Sequence, residues 1–264
     1  MHVARKRFGQ HFLHDRAIIG RIIDAIAPRA SDHMVEIGPG LGAITVPLLQ
    51  QLSQLDAVEI DRDAIRHLTE LTAGQSLRIH NADVLEFDFG TLRAGGQPLR
   101  LVGNLPYNIS TPLLFRLIAQ RQHILDLHFM LQKEVVDRMA AGAGTEHYGR
   151  LSVMLAPWLR VEPLFDIGPG AFRPPPRVVS TFVRLIPHAS APFELADPGR
   201  FAAVVAAAFS QRRKTLRNSL KALLDERQIR AAGIDPGARA EVIGPAGFAA
   251  LANLAHLAHL ANLE

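Results

Sequence analysis

Short apolar runs alternate with amphipathic stretches along about the first 190 residues of the chain. The apolar runs predict β-strands at 34–37, 55–60, 77–80, 100–103 and 127–131. The amphipathic stretches between them predict helices at 43–51, 62–71 and 112–120. Such alternation is typical of βαβ units, so we predict an α/β fold with a Rossmann-like doubly wound sheet. A β-branched run at 178–186 predicts a late antiparallel strand at the sheet edge.

The pattern changes near residue 190. Prolines punctuate the stretch 187–198, and the segment 201–224 that follows is first alanine-rich and then polar, with helical spacing. We therefore predict an α/β domain at 1–188 and a smaller all-helical domain at 189–264. The last residues repeat leucine and alanine, which predicts a capping helix rather than a metal site, despite two histidines three positions apart.

The composition is that of an ordinary globular protein. Of 264 residues, 48% are hydrophobic and 20% are charged, which is enough for a sizeable core. The absence of cysteine excludes disulfides, thiolate metal sites and cysteine nucleophiles, and it fits a reducing compartment. No apolar run approaches the ~18 residues of a membrane span, and the basic N-terminus is not followed by the apolar segment of a signal peptide. We therefore expect a cytoplasmic protein without a membrane partner.

A glycine-rich turn follows the first predicted strand and precedes the first predicted helix. Its sequence, at 36–42, is Glu-Ile-Gly-Pro-Gly-Leu-Gly. Glycines let the backbone turn tightly and let a ligand approach the main-chain N–H groups. Pro39 has no N–H, whereas a dinucleotide pyrophosphate needs free N–H donors. The turn therefore favours a ligand without phosphates, such as S-adenosylmethionine, over a nicotinamide dinucleotide.

Two acids lie at the carboxyl ends of the next two predicted strands. Glu59 is 19 residues beyond Gly40, close to the ~20-residue offset of the acid that binds ribose hydroxyls in Rossmann-like folds. Asp83 follows the third strand, where a carboxylate could accept a hydrogen bond from an adenine amino group. Taken alone, an acid in such a position is more often a helix N-cap or a solvated loop residue. Their shared register at one sheet edge favours a nucleoside-binding site.

The fourth predicted strand runs into Asn104, Leu105, Pro106 and Tyr107. An adenine amino group is a poor nucleophile because its lone pair is delocalised into the ring, and acceptors for its N–H hydrogens favour a more tetrahedral nitrogen. Asn104 offers a side-chain carbonyl, and Leu105 or Pro106 offers a backbone carbonyl. Tyr107 offers an aromatic face to an extruded base. This corner predicts methyl transfer to adenine by positioning, without a general base.

Lysine and arginine together number 29 against 25 acids, and the net charge of +4 is unevenly spread. Clustered cations are typical of phosphate binding, which positions RNA without reading its sequence. A solvated helix face is the alternative explanation of a basic run. The cations that we predict to bind RNA are Arg5, Lys6, Arg7, Arg173, Arg177, Arg212, Arg213, Lys214 and Arg217.

Taken together and in this order, the motifs resemble the ribosomal RNA adenine N6-dimethyltransferase family, in particular its bacterial small-subunit branch. The resemblance covers nearly the whole chain, at 5–15, 36–42, 58–61, 81–83, 104–107, 172–180 and 209–220. It implies transfer of methyl groups from S-adenosylmethionine to two adjacent adenines near the 3′ end of small-subunit rRNA, two methyls to each. It also implies an immature small ribosomal subunit as partner, with the helical domain helping to grip it. We expect a monomer.

The resemblance implies a role for each site residue. His11 and Leu13 would contact the methionine end of the cofactor. Family members often carry asparagine in place of His11, and a histidine can still donate one hydrogen bond there. The other implied contacts are Gly38 in the turn, Glu59 on the ribose, Asp83 on the cofactor adenine, Asn104 on both cofactor and target amino group, and Tyr107 with Phe172 stacked on the target base.

Three other functions stay open on the sequence alone. A sister family that methylates large-subunit rRNA shares the 104–107 corner, although the run 211–220 favours the small-subunit branch. A dehydrogenase would bind NADH, and both Pro39 and the corner argue against that. A non-enzymatic ribosome-assembly factor could keep the fold, but it would not need intact site residues.

Overall fold

A computed structural model describes residues 11–93, 96–211 and 213–261 of the protein, with side chains as far as residue 257. The strands in these ranges are β1 (Phe12–Leu13), β2 (His33–Ile37), β3 (Leu55–Glu59), β4 (Leu77–Asn81), β5 (Leu99–Asn104), β6 (Ile124–Gln132), β7 (Leu159–Ile167), β8 (Phe172–Arg173) and β9 (Ser180–Pro187). The helices are α1 (Arg16–Ile26), α2 (Thr45–Leu49), α3 (Arg62–Leu71), α4 (Ser110–Ala119), α5 (Lys133–Ala140), α6 (Arg150–Leu155), α7 (Pro198–Ala208), α8 (Leu216–Ser219), α9 (Glu226–Ala231) and α10 (Pro245–Ala261).

Seven of the described strands form one mixed sheet in the order β4-β3-β2-β5-β6-β9-β7. Strands β2 to β6 are parallel to one another, and β9 is antiparallel to β6. The order reverses between β2 and β5, which is the topological switch point of a doubly wound sheet. Ligands bind such sheets outside the carboxyl ends of the strands at that point. The predicted Rossmann-like α/β fold is confirmed.

One sheet prediction was wrong, because β9 is not an edge strand. It lies between β6 and β7, and β7 forms the edge. The sequence of β7 conceals a strand because Pro163 and charged residues interrupt its apolar pattern, and most of its residues are partly or fully exposed. Proline has no N–H to donate to a ladder, so it is tolerated in an edge strand such as this one.

Helices α1 and α2 pack on the sheet through isoleucine and leucine side chains. Helix α1 begins after Asp15, whose carboxylate accepts hydrogen bonds from the N–H groups of Ala17 and Ile18, as expected of an N-cap. Its buried Ile22 and the Leu48 of α2 join a core cluster with sheet residues. Each such side chain contributes about 1.5–3 kcal/mol on burial. The packing fixes the chain on both sides of the glycine-rich turn.

Near the amino ends of the strands, two buried aspartates are neutralised by cations. Asp126 in β6 accepts hydrogen bonds from the Arg100 guanidinium at 2.9 and 3.1 Å and from Arg184 at 3.0 Å. Burial alone would raise the pKa of Asp126, but these bonds lower it overall. Arg100 also binds Asp32 at 2.6 Å and the Ile26 carbonyl at 2.8 Å, which ties the end of α1 to the sheet.

Asp56 in β3 is paired in the same way. Its side chain is fully buried and accepts hydrogen bonds from Arg78 at 2.7 and 3.0 Å, from His80 at 2.7 Å and from His33 at 3.1 Å. Burial opposes ionisation, yet these partners lower the pKa of the Asp56 carboxyl. The pairing joins three neighbouring strands, β2, β3 and β4, through one carboxylate.

The described residues form two compact units. The first comprises the residues through Val136 together with Val161–Pro187, and the second comprises Asp137–Arg160 together with the residues from His188 onward. The chain therefore passes from one unit to the other three times, after 136, after 160 and after 187. The last of these lies at the predicted domain boundary, and the other two arise because the segment 137–160 belongs to the unit that holds the C-terminal helices. Buried Tyr148 and Val153 join the helical core of the second unit, and the Tyr148 hydroxyl donates to the Ile243 carbonyl at 2.6 Å.

The predicted continuous helical segment 201–224 is interrupted. Helix α7 ends at Ala208, where the Ser210 hydroxyl donates to the Ala207 carbonyl at 2.7 Å. Such a side-chain bond competes with the helical pattern and favours a turn. The chain then crosses to a bridge between Thr215 and Arg239 before α8. The cations around 213–217 consequently lie on this connection and on α8, not on one long helix.

Helix α10 occupies the alanine- and leucine-rich tail, as the repeat predicted. Its Leu251, Ala252 and Ala255 are buried in the helical core. His256 lies 3.4 Å from Asp197. No described group of three or more histidines and acids is placed to hold a metal ion. None of the described helices is long and apolar enough to cross a bilayer.

Candidate active site

A cavity of about 820 Å³ opens at the carboxyl ends of β2, β3, β4 and β5, within the first unit. This is the position that the switch point of the sheet predicts. Its volume falls in the range of small-molecule sites, roughly 300–1,000 Å³. The sequence-predicted residues that line it are His11, Leu13, Gly38, Glu59, Asp83, Asn104, Leu105, Pro106, Tyr107 and Arg173.

The glycine-rich turn forms one wall of the cavity. Gly38 has a φ of +65° and Gly40 a φ of +55°, a region that other residues rarely adopt. A Cβ atom on Gly38 would meet nothing within 4 Å, so the space beside this backbone is open to a ligand. A Cβ on Gly40 would approach the Phe12 ring to 3.2 Å. The N–H of Gly38 donates to the Val58 carbonyl at 2.9 Å, and that of Gly40 donates to Glu59. At these two glycines the turn therefore offers a ligand open space rather than the free N–H donors that the sequence predicted.

Glu59 projects from the end of β3 and is held by main-chain N–H groups. Its carboxylate accepts hydrogen bonds from the N–H of Ile60 and Asp61, each at 2.8 Å, and from Gly40 at 3.3 Å. Burial raises the pKa of Glu59 despite these bonds, and the neighbouring Asp61 charge adds to the rise. Three main-chain N–H groups thus fix the carboxylate against the turn, at the cavity.

Glu36 is a second acid on the cavity wall, and the sequence reasoning gave it no role. It is 2% exposed and accepts a hydrogen bond from the Thr45 hydroxyl at 2.6 Å. Burial and, to a lesser extent, repulsion from Glu59 raise the pKa of Glu36, and the Thr45 bond opposes the rise; the resulting pKa is about 7. An acid in the strand directly before a glycine-rich turn was the available signal, and a strongly perturbed carboxyl in a cleft indicates a functional site.

Asp83 lies at the rim of the same cavity, after β4. It is exposed, and its carboxylate accepts a hydrogen bond from the Leu85 N–H at 2.9 Å. That bond fixes the carboxylate in the loop that follows the strand. Glu36 lies near the end of β2, Glu59 is the last residue of β3 and Asp83 follows β4. The carboxyl ends of these three neighbouring strands therefore have an acidic character.

The 104–107 corner forms the opposite wall. The side-chain nitrogen of Asn104 donates to the His11 carbonyl at 2.8 Å, which leaves the side-chain oxygen to accept from a ligand. The Pro106 carbonyl accepts from the Ile109 N–H at 3.2 Å and closes the turn. The hydroxyl of Tyr107 lies 2.8 Å from that of Ser180, so the ring is fixed at both ends. The structure thus brings the predicted corner together at the cavity.

A two-stranded ribbon covers part of the cavity. Strand β1 pairs with β8, so that Phe12 lies opposite Arg173 and Leu13 opposite Phe172. The His11 ring nitrogen Nδ1 lies 2.7 Å from the Pro174 carbonyl, which can only accept, so Nδ1 carries the hydrogen. This nitrogen therefore donates its hydrogen bond to the protein and not to the cofactor, as the sequence had suggested it could. The other ring nitrogen of His11, Nε2, is left for a ligand.

The placement of Phe172 differs from the prediction. It is 2% exposed and belongs to the core cluster, whereas the next residue, Arg173, is exposed and lines the cavity. Successive residues of a strand point to opposite faces, so in β8 only one of the two can face a ligand. The stacking role assigned to Phe172 is not supported by this arrangement, in which Tyr107 is the aromatic side chain at the corner.

The predicted RNA-binding cations fall into three groups. Arg5, Lys6, Arg7 and Arg212 lie outside the described residues. Arg173 and Arg177 are exposed on the proline-rich segment of the first unit. In the second unit Arg213, Lys214 and Arg217 are exposed, and Arg217 lies 3.7 Å from Glu226. An exposed pair of this kind leaves a cation largely available to solvent.

The residues of the cavity fit S-adenosylmethionine. This cofactor carries a positive sulfonium and an ammonium group, and the cavity holds buried acids with raised pKa values, Glu36 and Glu59. Glu59 and Asp83, which the sequence predicts to bind the ribose and the adenine amino group, both line this cavity. Open space beside Gly38 admits the ligand to the backbone. The bound cofactor supplies an electrophilic methyl group, and the chain supplies the surface that aligns the acceptor.

Comparison with known proteins gives the same answer. Residues 1–256 match the family model described as ribosomal RNA adenine dimethylase. A protein of Methylococcus capsulatus named ribosomal RNA small subunit methyltransferase A is 56% identical over 254 residues, covering 95% of this chain and 97% of that protein. A protein of the same name from Pseudomonas fluorescens is 53% identical, covering 95% of this chain and 92% of that one.

Solved structures agree with the sequence relatives. A dimethyladenosine transferase from Plasmodium falciparum has a TM-score of 0.76 at 26% identity, over 91% of this chain and 96% of that one. The 23S rRNA methyltransferase ErmE has a TM-score of 0.73 at 26% identity, over 93% and 99%. The predicted enzyme class and cofactor are confirmed: this chain belongs to the ribosomal RNA adenine dimethylase family, whose members use S-adenosylmethionine to methylate adenine in rRNA.

Proposed function

We propose that this protein dimethylates N6 of two adjacent adenines near the 3′ end of small-subunit rRNA, within an immature small ribosomal subunit. The relatives that share 53–56% of its residues are named for the small subunit, which supports this target over the large subunit. The reaction takes place in the cytoplasm, where ribosomes assemble in bacteria, and the protein acts as a monomer.

The orientation of Asn104 carries the proposal. Because its amide nitrogen donates to the His11 carbonyl, its oxygen is left to accept one N–H of the target amino group. The sequence left Leu105 and Pro106 as alternatives for the second acceptor. The Pro106 carbonyl already accepts from Ile109, so the Leu105 carbonyl is the better candidate. Two acceptors on one nitrogen localise its lone pair and point it at the methyl group.

The other site residues hold the two substrates beside each other. Glu59 binds the ribose hydroxyls, Asp83 the adenine amino group and the Gly38 turn the methionine end, with His11 and Leu13 on the covering ribbon. Tyr107 stacks on the extruded base, which replaces the stacking lost when the base leaves its RNA neighbours. Exposed cations position the phosphates.

The direct test is to incubate the protein with labelled S-adenosylmethionine and, in parallel, immature small subunits and large subunits. Digestion to nucleosides then shows which adenines carry methyl groups. The proposal predicts N6,N6-dimethyladenosine from the small subunit, at two adjacent positions near the 3′ end. Label that enters only the large subunit, or monomethylated product alone at completion, would contradict it.

A further inference from the structure

The Tyr107 ring needs an anchor to act as a stacking platform. Its backbone is fixed, because the Ser110 hydroxyl donates to the Tyr107 carbonyl at 3.0 Å. Backbone fixation alone leaves the torsions of the side chain free, and an unrestrained side chain loses rotamer entropy when a base stacks on it. A platform held in place before the base arrives avoids that cost.

Ser180 provides the contact that fixes the far end of the ring. The two hydroxyl oxygens of Tyr107 and Ser180 are 2.8 Å apart, the usual length of an O–H···O hydrogen bond. Ser180 is 1% exposed, so its hydroxyl has little access to water. Each hydroxyl can donate or accept, and each satisfies the other in a site where an unpaired group would be costly.

The position of Ser180 in the sheet makes this contact rigid. It is the first residue of β9 and lies opposite Gln132 in the antiparallel ladder with β6. Directly before it, the Val179 carbonyl accepts from the Lys133 N–H at 2.9 Å. Backbone hydrogen bonds therefore hold the chain at Ser180 and directly before it. The serine lies at the start of an internal strand of the sheet, not on a loop.

On its other side the Tyr107 ring meets the covering ribbon. The centroids of the Tyr107 and His11 rings are 5.8 Å apart, with their planes tilted by 31°. Burial raises the pKa of Tyr107, so the phenol stays protonated and keeps its hydrogen bond at neutral pH. The phenol group is thus an attachment point for the ring, and the ring itself faces the cavity.

We propose that Ser180 is a positioning residue for methyl transfer: its hydroxyl holds the Tyr107 ring in the orientation that receives the target adenine. The inference rests on the proposed function and deepens it. Loss of one hydrogen bond between neutral groups should slow methyl transfer roughly three- to ten-fold, which is about 0.7–1.4 kcal/mol at about 1.4 kcal/mol per factor of ten in rate. The loss of this bond should slow methyl transfer, because that step needs the adenine stacked on the Tyr107 ring. It should not change the affinity for S-adenosylmethionine.

The kinetic test is a double-mutant cycle of Ser180→Ala and Tyr107→Phe on immature small subunits. Each single variant should lower kcat about three- to ten-fold while the Kd for S-adenosylmethionine stays at the wild-type value. Because both changes break the same bond, the double variant should be no slower than the slower single variant. Independent, multiplying losses would overturn the proposal, as would a wild-type kcat for Ser180→Ala.

Thr181→Val is the matched control. Thr181 is the next residue of β9, is 2% exposed and binds Asp166 at 2.6 Å instead of Tyr107. The Thr181→Val variant loses a buried hydroxyl, which can lower its stability, but its kcat should remain that of the wild type. An equal loss of kcat in Thr181→Val and Ser180→Ala would mean that any disturbance of β9 slows the enzyme, and would overturn the specific role of Ser180.

A readout without RNA separates this inference from the proposed function. The chain has two tyrosines, so protein labelled at tyrosine gives two sets of ring NMR signals, assigned with Tyr148→Phe. Ser180→Ala should shift and broaden the Tyr107 signals, and Thr181→Val should not. If the wild type methylates no small subunit, the proposed function fails, while unchanged Tyr107 signals in Ser180→Ala would overturn the anchor itself.

Discussion

The two ends of the central sheet both hold buried carboxylates, in opposite surroundings. At the amino ends of the strands, Asp56 and Asp126 are each saturated by arginine, and Asp56 also by histidine, so their pKa values are lowered. At the carboxyl ends, the described residues that donate hydrogen bonds to Glu36 and Glu59 are neutral groups, and the pKa values of both acids are raised. Buried carboxylates at the amino ends are thus paired with cations of the protein, whereas those at the carboxyl ends are held by neutral hydrogen-bond donors among the described residues.

The contrast distinguishes structural acids from acids that await a ligand. A buried carboxylate paired with arginine ties elements together, and its charge is already compensated. A buried carboxylate without a cation is destabilising on its own account and is favoured when a cation enters. S-adenosylmethionine is such a cation. Removing a cation partner at the amino ends should therefore lower stability. At the carboxyl ends, neutralising a buried acid should remove a pH-dependent loss of stability, and changes at the ligand-facing residues should alter binding and turnover.

The largest effect is expected at the corner beside the unpaired acids. Asn104→Ala removes the oxygen that accepts from the target amino group, and loss of one preorganised polar contact in the transition state costs up to a thousandfold. We expect methyl transfer to fall by about a thousandfold in single-turnover assays, with only modest weakening of cofactor affinity by calorimetry. Turnover at the wild-type rate would contradict the role of the corner.

The next effect is expected at the paired end. Arg100→Met leaves Asp126 with Arg184 as its remaining arginine and frees the end of α1, so we expect the free energy of unfolding in urea to fall by about 3–4 kcal/mol. Cofactor affinity of the folded protein should not change. Arg184→Met is the control, because this side chain is 39% exposed and should cost clearly less. Equal losses for the two variants would break the distinction between buried and partly exposed pairing.

Glu36 should give the pH dependence of an unpaired buried acid. Its pKa is about 7 in the folded protein against 4.5 for the free group, so the folded state binds the proton more tightly. Its stabilising contribution is present below about pH 4.5 and is lost as pH rises to 7, about 3.5 kcal/mol at roughly 1.4 kcal/mol per pH unit. Urea titrations of Glu36→Gln should lack this loss between pH 4.5 and 7.

Asp56 provides the opposite sign for the same measurement. Its pKa is lowered in the fold, so its contribution is present above the ordinary aspartate value and disappears as the pH falls through the folded value. Asp56→Asn should therefore remove an acid-side loss of stability and leave the range above pH 5 without a new slope. If both variants changed the pH dependence of the free energy of unfolding in the same direction, the two acids would not differ in the way that their surroundings predict.

The smallest effect is expected for exposed cations. Arg213 and Lys214 are solvated, unlike the buried Arg100, so replacing both by alanine should leave stability within about 0.5 kcal/mol. RNA affinity should weaken, and the slope of log K against log salt should flatten by about two, one for each phosphate contact. An unchanged slope in filter-binding titrations would return this pair to a simple solvated surface.

The sequence predicted best what is local and repeated along the chain. The strands that end at Ile37, Glu59 and Asn104 carry their own apolar pattern, and parallel strands bring their carboxyl ends together, so the cavity wall could be predicted without coordinates. The 104–107 corner was predictable because its residue types match the needs of one amino group. Local pattern and chemistry indicated the same edge of the sheet.

Features that depend on distant pairing could not be predicted in this way. Phe172 lies in the core because β8 pairs with β1, more than 150 residues earlier, and that pairing has no local signal. The interruption of β7 by Pro163 concealed the true sheet edge. The raised pKa of Glu36 arises from burial and from Glu59, both of which need the folded chain. The contact between Ser180 and Tyr107 joins residues 73 positions apart and exists only because the start of β9 lies beside the 104–107 corner.

A crystal structure of the protein with S-adenosylhomocysteine, the product left after methyl transfer, is the sharpest test of the proposed site. The ribose hydroxyls should lie on Glu59, the adenine beside Asp83, and the sulfur opposite the side-chain oxygen of Asn104, within reach of a bound base. A ligand seated elsewhere, or a corner at 104–107 turned away from the sulfur, would show that these residues do not form the methyl-transfer site.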